Sequence, residues 1–528
     1  VFKTLTIAGL VCASTLAGAE LPKTHAEATE YRETSRYADV MSFIDAIQRA
    51  DRDVRVETFA ITNEKRALPL VVVGPAGVVD PATARKTGLP VVFILANIHA
   101  GEVEGKEAAQ MLIRDLLSSP LRKKLIVLVA PIYNADGNEP ISAEHRKSQN
   151  GPPGGVGNRE NAQGLDLNRD YMKLESPEAR GLVANVFSRW DPLISVDLHT
   201  TNGSYHGYQL TYAPMLNPNA DASLIAFERE TLLPEIRSRM KSVHNKETYY
   251  YGNFVDQLQP EKGWYTFDSR PRFGNNYVGL RNRFTILSEA YSYIDFKARV
   301  EVTHQYLHEI LRATAKHGAR MQQLAARADR ARPKKAGVRF EMKPWRTDVP
   351  ILWERATAGG SEPDPWTEKG AITRSGKIET VRMTDYGIFA AKEMDDVPYA
   401  FVVDSRARAA IDNLRTHGVI VEELAGDTPA EVDEFKGSVT RGEGAFQKHR
   451  ELTFTGEWHA RQMTLPAGTF IVRTAQPLGR LAFYLLDPRS DDGLFDWNFF
   501  DELIEDGVAP VRRIMKAQPL AARMSRPS

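Results

Sequence analysis

Cysteine is almost missing. The 528-residue chain has one, Cys12, so neither an intramolecular disulfide nor a thiolate-rich zinc or iron–sulfur site can be built. Any metal site has only His, Asp and Glu to draw on. An excess of either charge is missing too: sixty-eight Lys and Arg balance sixty-eight Asp and Glu. That leaves no electrostatic footprint for nucleic acid or an anionic membrane as the main partner. No apolar run reaches the ~18 residues that a membrane span requires. A Gly-x-Ser-x-Gly elbow is absent, which argues against a serine hydrolase. The glycines at 151, 154, 155 and 157 neither follow a strand nor open a helix, so they make no phosphate cradle.

What is present supports a packed, multi-domain chain. Hydrophobic residues make up 42% and charged residues 26%, and the length suggests two or three domains. Lys3, the apolar run 5–16 and Ala17-Gly18-Ala19 form a secretory signal pattern over 1–19. A mature chain from Glu20 then has no cysteine, which fits a bacterial periplasmic or secreted protein. Residues 20–326 alternate apolar strands (68–73, 89–98, 124–132, 193–199, 208–212, 284–290) with helical stretches (103–118, 177–190, 221–241, 296–326). This pattern predicts an α/β fold with a mixed, mostly parallel central sheet flanked by helices. The stretch 134–170, rich in Gly, Asn and Pro, is too long for a plain connection and reads as a functional loop. Residues 327–335 are expected to be a linker. Residues 336–528 are expected to form a smaller accessory domain, with a β-α-β piece (399–403, 405–417, 419–423) and short strands at 451–455, 461–465, 469–474 and 480–486.

The chemistry gathers at strand ends. His99-Ala100-Gly101-Glu102 follows the second apolar strand and opens a helix, and His199 ends the fourth. In an open α/β sheet, ligands bind outside the carboxyl ends of strands. Two histidines and one glutamate with an open corner make a catalytic zinc set, which lowers the pKa of a bound water to about 7 and polarises a carbonyl. Asp166 is placed to fix the tautomer of His99. Asn168 and Arg169 offer the donors that a carboxylate accepts, and Arg146 adds a cation. Glu289 sits near the end of an apolar strand, where a carboxylate is costly without a task; taking the proton of an activated water is such a task.

These motifs, in this order over roughly residues 60–320, resemble the carboxypeptidase-A-like zinc metallocarboxypeptidases. The resemblance implies one Zn2+ held by His99, Glu102 and His199, with Asp166 behind the first histidine. It implies Arg146 as the carbonyl-polarising arginine, Asn168 and Arg169 as the clamp on a substrate's terminal carboxylate, and Glu289 as the water-activating base. The substrate would be a peptide with a free C-terminus. Asn168-Arg169-Asp170 departs from the family's usual Asn-Arg-Asn. Tyr265 and Tyr277 both fit the substrate-capping tyrosine. Arg270 and Arg272 fall where the side-chain pocket should lie; one pointing inward would favour an acidic terminal residue, and the alternative is a surface ion pair with Asp268.

Two other readings stay open. Asp197-Leu198-His199-Thr200 also resembles amidohydrolases that deacylate N-acyl amino acids, and a non-catalytic binding protein can share such a fold. Elsewhere, His304 and His308 are spaced for one helix face, but no carboxylate is visible beside them, so they read as surface or packing residues. Asp487, Asp491, Asp492 and Asp496 lack ion-loop spacing and read as a polar turn. Trp497, Phe499 and Phe500 read as core or interface anchors.

Overall fold

The apolar, β-branched runs condense into one eight-stranded sheet. In the computed structural model, which describes residues 21–201, 203–363 and 371–524, it is built from β1 (Arg55–Ile61), β2 (Ala67–Val73), β3 (Val91–Ala96), β4 (Ile126–Ala130), β5 (Ile194–Thr201), β6 (Leu210–Ala213), β7 (Thr248–Tyr250) and β10 (Phe284–Tyr291). The two-residue strands β8 (Asn253–Phe254) and β9 (Trp264–Tyr265) belong elsewhere. The order is β1-β2-β4-β3-β5-β10-β6-β7. Its middle, from β4 through β3 and β5 to β10, is parallel; β1-β2, β2-β4 and β10-β6 pair antiparallel, and the outer β6-β7 pair is parallel. The expected mixed, mostly parallel sheet is present. The signal pattern over 1–19, with Cys12, lies outside the described residues.

Helices Tyr37–Ala50, Glu104–Leu116, Phe296–Arg330 and Leu233–His244 pack side by side in one layer. The short helices Pro177–Gly181 and Gly274–Leu280 pack against β1, β5 and β10. β4 and β5 are buried along their whole length; β4 is apolar throughout, whereas β5 carries Ser195, Asp197, His199 and Thr201 on one buried face. Helix Glu104–Leu116 lies close against β5. A Cβ on Gly105 would sit 2.7 Å from the Leu198 Cβ, so glycine permits the approach. Among the described residues no helix is long and apolar enough to cross a membrane.

Beyond the long helix, β11 (Lys335–Lys343) pairs with β14 (Ile388–Asp396), and β12 (Arg346–Pro363) forms a long hairpin with β13 (Ala371–Tyr386). A seven-stranded sheet follows, with β15 (Ala400–Val403), β16 (Glu422–Leu424), β17 (Thr428–Arg441), β18 (Leu452–Leu465), β19 (Phe470–Arg473), β20 (Val508–Ile514) and β21 (Ala522–Met524). Helix Arg408–His417 between β15 and β16 completes the expected β-α-β piece. The expected linker is mostly taken up: the long helix runs to Arg330 and β11 starts at Lys335. β13 also pairs in parallel with β9, so one small sheet joins the two parts of the chain. The expected strand at 480–486 is instead helix Gly479–Leu486. It is buried from Leu481 to Leu486, packed against β11 and helix Gly274–Leu280. A helix buried on all sides shows no polar face to reveal its period.

Candidate active site

Strand register brings the chemistry together. β3 and β5 run parallel with Ala96 level with Leu198. His99, just past the end of β3, therefore lies beside His199. β5 and β10 run parallel with His199 level with Glu289. The turn after His99 closes with Glu102 N–H donating to the His99 carbonyl at 2.9 Å. Gly101 allows that turn to nest, since a Cβ there would lie 2.8 Å from the Gly157 carbonyl oxygen.

The Glu102 carboxylate sits between the two rings, with His99 Nδ1 3.0 Å from Oε1 and His199 Nδ1 3.0 Å from Oε2. The other ring nitrogens also face carboxylates: His99 Nε2 is 3.1 Å from Asp166 Oδ1, and His199 Nε2 is 3.0 Å from Asp197 Oδ2. A neutral imidazole carries one N–H and cannot donate on both sides. A cation held where both Nδ1 atoms and Glu102 converge resolves the mismatch. The His99 Nε2–H would then be free to donate to Asp166, as in a carboxylate-backed ligand, with Asp197 Oδ2 lying beside His199 Nε2. The three ligand groups are all buried and mutually within reach of one ion, and their N,N,O donor set fits zinc.

The surrounding charges support this. Burial alone would raise the Glu102 carboxyl, but His99, Arg146 and His199 outweigh it and hold the group well below the usual carboxylate range. Burial also works against Asp166, and His99, Arg169 and Arg159 reverse it there. Glu289 behaves oppositely in the metal-free chain. Burial, with Glu102 and Asp197 adding and His199 opposing, pushes it up to about 8. A dication beside it acts in the other direction.

A cleft of about 350 Å3 opens over these groups. Glu289 lines it, and so do Asn168 and Arg169. Asn168 is fixed by accepting from Gly274 N–H at 3.0 Å, and the Arg169 guanidinium lies 4.0 Å over the Phe273 ring. Phe267, Phe273, Leu287 and Tyr251 supply apolar wall. A larger depression of about 680 Å3 lies elsewhere, and Arg283 on its wall is already paired with Asp191 and Asp329.

Several expected residues stand outside the cleft. Arg146 donates to Glu102 Oε1 at 2.8 Å but does not line it. Arg159 does: it grips Asp166 Oδ2 through Nε and Nη2 and places Nη1 4.0 Å from Glu102 Oε1. Arg272 is not a pocket residue. Its guanidinium is buried against Asp492, Asp496 and Glu451 and lies 4.6 Å over Trp497. Arg270 forms the ion pair with Asp268, at 2.5 Å. No free arginine therefore enters the pocket from this loop. Tyr277 is fully buried and bonded to His417 and Arg281, so it cannot cap a substrate. Tyr265, on β9, does not line the cleft, whereas Tyr251 does. Asp197 was findable: two residues before His199 on a strand, it shares that face. Arg159, in an aperiodic loop, left no such signal.

Residues 40–267 match the family model described as zinc carboxypeptidase. Carboxypeptidase Z of Mus musculus and of Homo sapiens are each 38% identical over 96 residues, 16% of this chain and 14% of theirs. The chain thus spans about a seventh of the length of these relatives. A metallo-carboxypeptidase from Burkholderia cenocepacia superposes with TM-score 0.40 at 15% identity, covering 54% of this chain and 70% of that one. Carboxypeptidase A from Helicoverpa armigera gives 0.38 at 17% identity, covering 56% and 74%. Glu289 lies beyond the matched segment. The description of that family model names zinc, and His99, Glu102 and His199 are a group on this chain that could hold such an ion.

Proposed function

We propose that this chain, whose residues 40–267 match the family model described as zinc carboxypeptidase, hydrolyses the C-terminal bond of peptides by direct attack of water. The observation that carries this reading is one cleft holding the His99–Glu102–His199 set, Glu289 level with His199, and the Asn168–Arg169 pair. Bound zinc supplies Lewis acidity to the carbonyl and an acidified water. Asn168 and Arg169 hold the substrate's free carboxylate, which fixes the scissile bond at the chain end. Glu289 removes the proton of the attacking water as the carbon–oxygen bond forms. It returns that proton to the amine nitrogen as the carbon–nitrogen bond breaks. Arg159, pinned by Asp166, faces the oxygen on which negative charge develops. Phe267, Phe273 and Leu287 favour an apolar terminal side chain.

Peptides with free and amidated C-termini, compared with N-acyl amino acids, test the reading. Cleavage of the free-ended peptide alone is expected; equal cleavage of the amidated peptide would remove the carboxylate clamp. Glu289→Gln is expected to keep its zinc and lose about 10²–10⁴ in kcat. Undiminished turnover would reject Glu289 as the base. The pattern over 1–19 further suggests export, checked by fractionation and N-terminal sequencing of the mature chain for a start near Glu20.

A further inference from the structure

Helix Phe296–Arg330 presents His304 and His308 one turn apart on the same face. Against them, from the last turn of helix Glu104–Leu116, lies Asp115. The Asp115 Oδ2 atom is 3.0 Å from His304 Nε2 and 3.1 Å from His308 Nε2, and the two Nε2 atoms are 3.2 Å apart. We propose that Asp115, His304 and His308 form a second divalent-cation site, distinct from the catalytic set.

Three features of the cluster point to an ion. The first is spacing. A tetrahedral ion with bonds of about 2.0–2.1 Å holds its ligand atoms on the order of 3.3 Å apart, close to the triangle seen here. The second is hydrogen accounting. Both imidazoles aim the same nitrogen at one carboxylate oxygen and at each other. Two N–H groups directed into that triangle repel, while two lone pairs and a carboxylate oxygen together suit one cation. The third is the surroundings. Arg114 is the nearest competing cation, and its Nε is 3.9 Å from the other oxygen, Asp115 Oδ1. Arg114 is itself held by both oxygens of Glu27 at 2.6 and 2.8 Å. Asp115 Oδ2 is left to the histidines. The side chains of His304, His308 and Asp115 are 16%, 31% and 36% exposed, so an ion reaches them from solvent.

Two imidazoles and one carboxylate select zinc or a neighbouring transition ion over calcium or magnesium, which prefer all-oxygen shells. The site lies at the far end of the helix that starts beside Glu102, about 20 Å away along thirteen residues. That is too far to share a substrate. Its work is mechanical: the ion ties the long helix Phe296–Arg330 to the helix that backs the catalytic centre.

The test is zinc stoichiometry in the full-length chain, stripped with a chelator, reloaded with zinc and dialysed. Two ions per chain are expected for the wild type. One is expected for His304→Ala/His308→Ala, and one for Glu102→Gln, which disables the catalytic set and leaves the second site to be read alone. The thermal midpoint of Glu102→Gln should still rise with zinc, and that rise should vanish when the two histidines are also replaced. Asp115→Asn, which keeps the shape of the side chain, provides a second variant and should also bind one ion. Peptide hydrolysis by the double-histidine variant should persist, which shows that it is folded. A wild type that binds a single ion, or a double-histidine variant that binds as many as the wild type, overturns the proposal without touching the catalytic reading.

Discussion

Asp166 serves three partners with one carboxylate. Oδ1 faces His99 Nε2 and accepts from Asn168 N–H at 2.9 Å, and Oδ2 takes two donations from Arg159 at 3.1 and 2.8 Å. His99 and Arg159 therefore share an anchor. In Asp166→Asn one of the two oxygens becomes an NH2, so either His99 and Asn168 or Arg159 loses its acceptor. Zinc affinity is expected to fall about 10–100-fold, as for other losses of a ligand's supporting carboxylate; a competitive chelator titration measures it. Arg159→Gln should lower kcat by about 10²–10³ with KM nearly unchanged, because its contact matters where charge develops. Arg146→Gln should cost less in kcat, since that side chain lies outside the cleft. Steady-state kinetics of the two variants decide between them, and the reverse ranking would return the polarising role to Arg146.

At the scale of elements, the site depends on how closely helix Glu104–Leu116 packs on β5. Gly105→Ala puts a methyl against Leu198, the residue before His199. Overpacking of this kind costs about 1–3 kcal/mol, and part of the strain should appear as displacement of His199 from Glu102. A lower melting temperature together with weakened zinc binding is expected; unchanged zinc affinity would mean the strand absorbs the methyl elsewhere. The strands carrying this site were readable because β-branched apolar runs ended in histidines, and a glutamate inside an apolar strand demanded an explanation. Helix Gly479–Leu486 was misread because a short, fully buried apolar run has the same composition in either conformation. Asp115 illustrates a different limit. It meets His304 and His308 only because two helices pack side by side, and nothing local in the chain announces that meeting. The same holds for Arg159, whose loop has no period, and for Arg272, whose acidic partners lie far along the chain in 451–496.

At the scale of the molecule, the C-terminal part grips the loop that carries Asn168 and Arg169. Gln447 accepts from Asp166 N–H at 2.9 Å, and Asn413 donates to the Met172 and Lys173 carbonyls at 3.0 Å. His417 completes the grip: its Nε2 lies 3.1 Å from the Met172 carbonyl and its Nδ1 2.8 Å from the Tyr277 hydroxyl. A carbonyl can only accept, so Nε2 carries the proton and Nδ1 accepts from Tyr277. Burial, with Arg281 and Arg180 adding and the Met172 carbonyl opposing, pushes this imidazole down to about 3. In the unfolded chain it titrates near 6.5. The folded state thus binds fewer protons between those values. The contribution to stability is whole above about 6.5 and is lost as pH falls toward 3. At pH 5 that loss amounts to about 2 kcal/mol. Other buried groups act in the same range. His206, also held near 3 by burial, adds to the loss. Glu178 and Glu228, raised by burial to about 7 and about 8, oppose it. The diagnostic quantity is therefore a difference between variants. His417→Gln is expected to be less stable than the wild type at pH 7, yet to lose about 2 kcal/mol less than the wild type between pH 7 and pH 5. Urea unfolding at the two pH values measures this, and parallel losses in both chains would show that His417 does not couple the two parts of the molecule to acid.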